Sequence, residues 1–308
     1  MIGLGSIGKR HLGNLIKVLS GRNIAYQIDA LRSNYKELEI KWNDVISRQY
    51  YHFEDMPEDY DIIFITNPTS LHYDTIKNVI GKTKHMFIEK PIFETDSYDI
   101  NSLCWNPSNI YYVACPMRHK SIMRYIKEEM VTQNDIISAR IISTSYLPEW
   151  RKGVDYRNIY SAKSSLGGGV TKDLIHEWDY AIYLFGIPDK VFHLSGHMSD
   201  LEIDSDDVSI YIAKYQSMFL EIHLDYVGRK TERQLQLFTN SKRIDVDLIQ
   251  NVICEYKNNE LIEKREFAEE DLYINEMEYF LDCVEGKRTN INTVGNAYQT
   301  LKIAIAEE

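Results

Sequence analysis

Apolar residues recur along the first third of the chain in two rhythms. Leu12, Leu15, Ile16 and Leu19 fall at i, i+3, i+4 and i+7, the stripe of a helix that begins at Gly8. Runs of strand length follow at Ile24–Ser33, at Asp61–Ile65, from His85 up to Glu89-Lys90-Pro91, and at Ile110–Cys115. Farther along, the patterning changes to period two. Val208, Ile210 and Ile212 alternate with Ser209, Tyr211 and Ala213; Leu220, Ile222, Leu224 and Tyr226 alternate with Glu221, His223 and Asp225. Ile244, Val246 and Leu248 alternate in the same way with Arg243, Asp245 and Asp247. Such alternation predicts an antiparallel sheet with one buried face and helices on one side. The helical pattern Asn275–Val284 and the segment after Asn296 are expected to close this second domain.

The first helix carries candidate chemistry at its start. Gly3-Leu4-Gly5-Ser6-Ile7-Gly8 fits Gly-x-Gly-x-x-Gly, a weak signal alone that gains weight because a helix follows it. That helix start would hold a pyrophosphate on free N–H groups and its positive dipole end. Only Met1 and Ile2 precede Gly3, where a central strand is expected, and the chain stops at Ala306-Glu307-Glu308 inside a helical pattern. The sequence therefore reads as truncated, most simply by a start placed at an internal Met. The second strand ends in Arg32-Ser33, with Asp29 three residues earlier. Arg32, with Arg10, suits a ribose 2′-phosphate, which puts NADP ahead of NAD. In Thr66-Asn67-Pro68-Thr69-Ser70-Leu71-His72, Asn67 is expected to cap a helix with Pro68 at its first position. Pro91 pushes Lys90 out of helical geometry and fixes where it points; a strand-end lysine is otherwise merely solvated.

A second candidate region is Gly167-Gly168-Gly169-Val170-Thr171-Lys172-Asp173-Leu174-Ile175-His176-Glu177-Trp178-Asp179. Glycines permit a tight turn, and Asp173, His176 and Asp179 follow at successive i+3 positions near one side of a helix. A carboxylate one turn from an imidazole can fix its tautomer and raise its basicity for acid–base work. The plainer reading is a helix start with acids near its positive end. Upstream, Tyr146–Tyr160 mixes aromatics with Arg151, Lys152 and Arg157. It reads either as a mobile surface loop or as a substrate segment, with Arg151 and Arg157 holding an anionic group while tyrosines stack on a sugar ring.

Bulk properties narrow the alternatives. At 308 residues the chain is long enough for two domains, and its net charge of −11 argues against a nucleic-acid or membrane-surface partner. No apolar run approaches the ~20 residues of a membrane span. The first residues do not form a signal peptide. Cys104, Cys115, Cys254 and Cys283 form no C-x-x-C pair, which fits reduced thiols in the cytoplasm and neither a disulfide frame nor a metal site.

The glycine fingerprint, Glu89-Lys90-Pro91 and Asp173-x-x-His176 together resemble the glucose–fructose oxidoreductase / inositol dehydrogenase (Gfo/Idh/MocA) family. The resemblance implies an α/β protein: an N-terminal Rossmann dinucleotide-binding domain (residues 1–118) and a C-terminal α+β domain with a large, mainly antiparallel sheet (119–308). It also implies an NAD(P)-dependent oxidoreductase acting on a secondary alcohol or ketone of a sugar, polyol or sugar derivative, such as a nucleotide sugar or sugar acid. By resemblance, Lys90 would hold the reacting oxygen, His176 would exchange its proton, and Asp173 would orient His176 or the substrate. No metal is required. Cofactor contacts are expected from Gly3, Gly5, Ser6, Ile7 and Gly8, from Arg32 and Ser33, and from the loop holding Thr66, Asn67, Pro68 and His72. Glu89 and Lys90 complete that set. Substrate contacts are expected from Lys90, Arg118, Trp150, Arg151, Tyr156, Arg157, Asp173 and His176. The other sheet face in the family is often an oligomer interface, which implies a homodimer or homotetramer. Two readings compete: a non-catalytic sensor of nucleotide or sugar, and another nicotinamide enzyme such as a 2-hydroxy-acid dehydrogenase. The Glu-Lys-Pro and Asp-x-x-His pairing disfavours the second.

Overall fold

The computed structural model describes residues 1–306, which divide into two compact units. One comprises Met1–Ala114 and Asp271–Tyr298; the other comprises Cys115–Glu270 and the residues from Gln299 on. In chain order the first unit contains α1 (Ser6–Gly21), β1 (Ile28–Leu31), α2 (Ile40–Asn43), β2 (Ile46–Tyr50) and β3 (Tyr60–Ile65). It continues with α3 (His72–Val79), β4 (Thr83–Ile88) and β5 (Tyr111–Val113). The second unit holds α4 (Ser121–Tyr125), β6 (Ile136–Tyr146), α5 (Val170–Asp173), α6 (His176–Phe185), β7 (Lys190–Gly196) and β8 (Val208–Lys214). Five further strands follow: β9 (Phe219–Asp225), β10 (Val227–Thr239), β11 (Arg243–Asp247), β12 (Val252–Lys257) and β13 (Glu260–Glu266). Then come α7 (Leu272–Val284) and α8 (Val294–Ala304).

The first unit is a parallel, Rossmann-type arrangement. β1 pairs with β2, and β3, β4 and β5 pair in that order. Ile2 joins the two groups, bridging in parallel to Leu31 on one side and Ile65 on the other. Its N–H donates to the Phe64 carbonyl at 2.8 Å, and its carbonyl accepts from the Thr66 N–H at 2.9 Å. Met86, Phe87 and Ile88 on β4 are all buried, as expected for a strand covered on both faces.

The expected domain limits of 1–118 and 119–308 need revision. The first stretch ends at Ala114, and Asp271–Tyr298 belongs with the nucleotide-type unit. The reason is an aromatic cluster: Phe280 of α7 lies 5.8 Å from Phe64, 5.3 Å from Phe87 and 5.7 Å from Tyr112, all in that unit. The helix expected to close the second domain therefore covers the first.

The second unit is an eight-stranded sheet ordered β13-β12-β11-β10-β6-β9-β8-β7, antiparallel except where β6 runs parallel to β9. Leu220, Ile222 and Leu224 on β9 and Ile244 and Val246 on β11 face inward. On β8 the faces are reversed relative to hydrophobicity. Ser209, Tyr211 and Ala213 are buried, whereas Ile210 and Ile212 are 39% and 41% exposed. Tyr211 sets this facing: its ring meets Trp178 of α6 edge-on at 5.2 Å, and its hydroxyl donates to the Ala304 carbonyl at 2.7 Å. Among the described residues, no helix is long and apolar enough to cross a membrane.

Candidate active site

The three fingerprint glycines have three different jobs. Gly3 has φ +87°, and a Cβ there would lie 2.7 Å from the Asn67 nitrogen. A Cβ on Gly8 would fall 2.1 Å from the Gly3 carbonyl oxygen and 2.7 Å from Thr66 Oγ1. Gly5 instead faces open space, with nothing within 4 Å of an added Cβ. It caps α1, whose start has no side-chain cap and no acidic residue in the first turn, where Ser6 and Ile7 lie. Two glycines thus shape a cradle and the third leaves room in it. An anion at that helix start would meet N–H groups and no competing carboxylate, so these residues fit a dinucleotide pyrophosphate.

The neighbouring turn braces the cradle. Thr66 Oγ1 lies 2.6 Å from the Gly3 carbonyl and 3.0 Å from that of Ile2. Asn67 does not cap a helix as expected. Its amide donates to Thr75 Oγ1 at 2.8 Å, and the exposed Pro68 leads into a 3₁₀ turn before α3. His72 is fully buried, so direct contact with a cofactor gives way to a holding role. Its Nε2 faces the Asn67 carbonyl at 3.0 Å, and its Nδ1 faces the Pro91 and Ile92 carbonyls, both at 3.1 Å. Burial lowers its pKa, opposed by those carbonyls and by Glu89.

At the end of β1 the expected phosphate-binding arginine is already engaged. Arg32 donates through Nη1 to Gln49 Oε1 at 2.6 Å and through Nη2 to the Lys36 carbonyl. Arg10 lies 4.5 Å over the Tyr273 ring, and Ser33 is exposed. Asp29 sits inside the strand, its carboxylate accepting from the Tyr60 hydroxyl at 2.9 Å.

Lys90 lies two residues past the end of β4 and is half-buried. Glu89, expected among the cofactor contacts, points instead at His11 of α1, pairing Oε1 with His11 Nε2. Its second oxygen accepts from the Lys90 N–H at 3.0 Å. Burial pushes this carboxyl up, but His11 and then Lys90 outweigh burial and leave it below its ordinary value. His11 escaped the sequence reading; the available signal was one polar residue beside the buried Leu12, Leu15 and Val18.

In the second unit the glycine turn is as constrained as its sequence suggests. Gly167 and Gly169 have φ +89° and +115°, and a Cβ on Gly168 would lie 2.3 Å from the Tyr160 carbonyl oxygen. The expected single helix breaks at Leu174 (φ −95°, ψ +24°), so Asp173 ends α5 and His176 begins α6. Asp173 Oδ2 accepts from the Tyr226 hydroxyl at 2.6 Å. Burial first, then the Asp173 charge, hold the Tyr226 phenol well above its ordinary value, so it stays a donor. Trp150 meets the Tyr226 ring edge-on at 5.1 Å, and its Nε1 donates to Ser145 Oγ at 2.9 Å. Tyr226 was another residue missed, hidden at the end of a strand's apolar alternation.

The cations divide differently from expectation. Arg118, expected at a substrate, is buried in a bidentate pair with Asp179, at 2.9 Å from Nε and 2.8 Å from Nη2. Arg157 is engaged by Asp155 and by Glu202 at 2.7 Å, which raises its pKa and removes it as a free anion holder. Tyr156 accepts from the Glu202 N–H at 3.2 Å, and Arg151 is exposed.

Residues 1–104 match the Gfo/Idh/MocA oxidoreductase family, described as an NAD-binding Rossmann fold. The match lies within the nucleotide-type unit, and over these residues the chain is similar to that family. A relative, the uncharacterized oxidoreductase YrbE of Bacillus subtilis (strain 168), is 28% identical over 194 residues. That match spans 60% of this chain and about half, 53%, of the relative. Among solved structures, UDP-N-acetylglucosamine 3-dehydrogenase GnnA from Acidithiobacillus ferrooxidans has a TM-score of 0.78 at 16% identity, covering 99% of this chain and 94% of its own. The WlbA dehydrogenase from Bordetella pertussis, in complex with NADH and UDP-GlcNAcA, gives 0.79 at 16% identity, covering 99% and 93%. Myo-inositol 2-dehydrogenase from Lactobacillus plantarum gives 0.76 at 19%, covering 98% and 93%. At these identities the structural likeness establishes the fold and no more.

Proposed function

We propose that the chain is an NAD(P)-dependent oxidoreductase acting on a secondary alcohol or ketone of a sugar, polyol or sugar derivative, with a nucleotide sugar or sugar acid the preferred class. The observation that carries this reading is the glycine cradle at α1 together with Lys90 at the end of β4, a strand of the same parallel sheet. The named substrates of the structural relatives point the same way by analogy of fold. With Asp29 held inside its strand by Tyr60, the strand end carries no acid, and the Arg32 charge is not neutralised there, because its partners are the Gln49 side chain and the Lys36 carbonyl; this favours NADP over NAD.

A bound nicotinamide supplies hydride acceptance or donation; the protein supplies position and charge. The Lys90 ammonium holds the substrate oxygen and stabilises charge developing on it. His176 exchanges the proton of that oxygen, and Asp173, fixed by the Tyr226 hydroxyl, sets the orientation. Arg151 remains the cation to contact an anionic substituent, with Trp150 and Tyr156 as aromatic contacts. The reduced thiols suit a reducing, cytoplasmic setting, and a second copy of the chain covers the open sheet face.

The test incubates the purified protein with NADP⁺ or NAD⁺ and a panel of UDP-sugars, sugar acids and inositols, following absorbance of the reduced nicotinamide. Turnover is expected for at least one compound, falling about 10²–10⁴-fold in Lys90→Ala and His176→Ala. Tight cofactor binding without turnover on any compound would instead favour a sensor of the same fold.

A further inference from the structure

We propose that His11 is a positioning residue: through Glu89, it sets the backbone from which Lys90 projects. The proposal rests on the reading of Lys90 as the group that holds the substrate oxygen.

Three bonds converge on Glu89. Its N–H donates to the Ile65 carbonyl at 2.9 Å, which continues the β3–β4 pairing one residue past the strand. Oε1 accepts a hydrogen bond from His11 Nε2, and Oε2 accepts one from the Lys90 N–H at 3.0 Å. The carboxylate therefore ties the residue after it to the helix that begins at the dinucleotide cradle. Beyond Lys90, a second imidazole does the matching work, with His72 Nδ1 facing the Pro91 and Ile92 carbonyls. Lys90 is the single residue between two histidine-held points.

The surroundings of His11 argue that packing is not its purpose. Its ring is fully buried against Phe87, 4.8 Å between centroids, and near Tyr273 at 6.0 Å. An apolar side chain would fill that space without removing a carboxylate and an imidazole from water, and buried polar pairs seldom improve on well-packed apolar ones. Among the described residues Nδ1 has no hydrogen-bond partner, a further cost that an aliphatic residue would avoid. What an aliphatic residue cannot do is donate to Glu89. Without that donor, the carboxylate is free to turn, and the Lys90 amide loses its fixed acceptor.

The two properties separate in a pair of substitutions. His11→Leu fills the volume without a donor; His11→Gln places an amide N–H close to where Nε2 lies. The first readout is hydrogen exchange at the Lys90 amide, followed by mass spectrometry of fragments spanning residues 88–93. His11→Leu is expected to speed that exchange by about tenfold or more, with His11→Gln within about threefold of the parent protein. In parallel, NADPH affinity stays within about threefold for both variants, because the cradle itself is untouched. On whichever panel sugar the parent protein oxidises fastest, His11→Leu lowers kcat by about 10–100-fold with little change in KM, and His11→Gln restores it. Unchanged Lys90 exchange in His11→Leu, or equal losses in the two variants, would overturn the proposal. Should His11→Leu not fold, His11→Met, a second apolar side chain of similar volume without a donor, decides the same point: faster Lys90 exchange supports the proposal and unchanged exchange overturns it. The exchange result needs only folded protein, so it stands even if no panel compound is oxidised; that outcome would count against the oxidoreductase reading alone.

Discussion

A methyl group at Gly8 would sit 2.1 Å from the Gly3 carbonyl oxygen, while one at Gly5 would touch nothing within 4 Å. The same substitution should therefore fail in two different ways. Gly8→Ala forces backbone apart and is expected to destabilise the protein by about 1–3 kcal/mol or more. Gly5→Ala, at φ −70°, is strain-free and should cost less than about 1 kcal/mol of stability. It should nonetheless weaken NADPH binding by about tenfold or more, since each decade is worth ~1.4 kcal/mol and the methyl occupies the anion's approach. Thermal unfolding and fluorescence titration with NADPH separate the two; equal losses of stability would show that Gly5 is structural. Glycines were legible because their constraint is local. The cations were not: Arg118 finds Asp179, and Arg157, beside its near neighbour Asp155, also finds Glu202, partners far along the chain that no spacing reveals. A charge that looks available in sequence becomes engaged only once the fold brings its counterion alongside.

Helices and strands show the same division. Apolar periodicity located α1, β3, β4 and three strands of the second unit, β8, β9 and β11, although on β8 the buried face is the opposite one. It could not say which sheet a helix covers. The stripe of α7 would suit either unit, and only the meeting of Phe280 with Phe64, Phe87 and Tyr112 assigns it to the first. Phe280→Ala should cost about 3–5 kcal/mol, as truncation of a fully buried aromatic does. The loss should appear in nucleotide binding: the temperature at which NADPH protection is lost should fall by on the order of 10 °C. If binding kept its parent temperature while the rest of the protein unfolded early, α7 would belong elsewhere. The Asp173–His176 stretch illustrates the opposite limit, since its i+3 spacing was correct but its helix breaks at Leu174. Tyr226, at the bend between β9 and β10 more than fifty residues on, holds Asp173 in its place.

At the scale of the whole molecule, the reversed facing of β8 has a consequence for assembly. Ile210 and Ile212 point to the open face beside Leu194 and Phe192, their partners in the β7–β8 register. Leu194 is 77% exposed, and Phe219 at the start of β9 is also exposed. Nearer the centre, the same sheet carries charge pairs on exposed side chains, Arg140 with Glu221 and Arg243 with Asp245. Aliphatic side chains on adjacent strands form an apolar patch, of a kind that soluble chains cover with another protein surface. A two-fold dimer would place the patch of one copy against the same patch of the other, which requires no second complementary surface. With each chain carrying −11, long-range repulsion opposes the contact, so association should strengthen as salt rises. Sedimentation velocity at micromolar concentration should give a dimer or larger species, more fully formed at high salt. The double substitution Leu194→Glu with Ile210→Glu should give monomers with unchanged NADPH affinity, because the cradle lies in the other unit. A parent protein that sediments as a monomer at every salt concentration, or a double variant that still dimerises, would exclude this face as the interface.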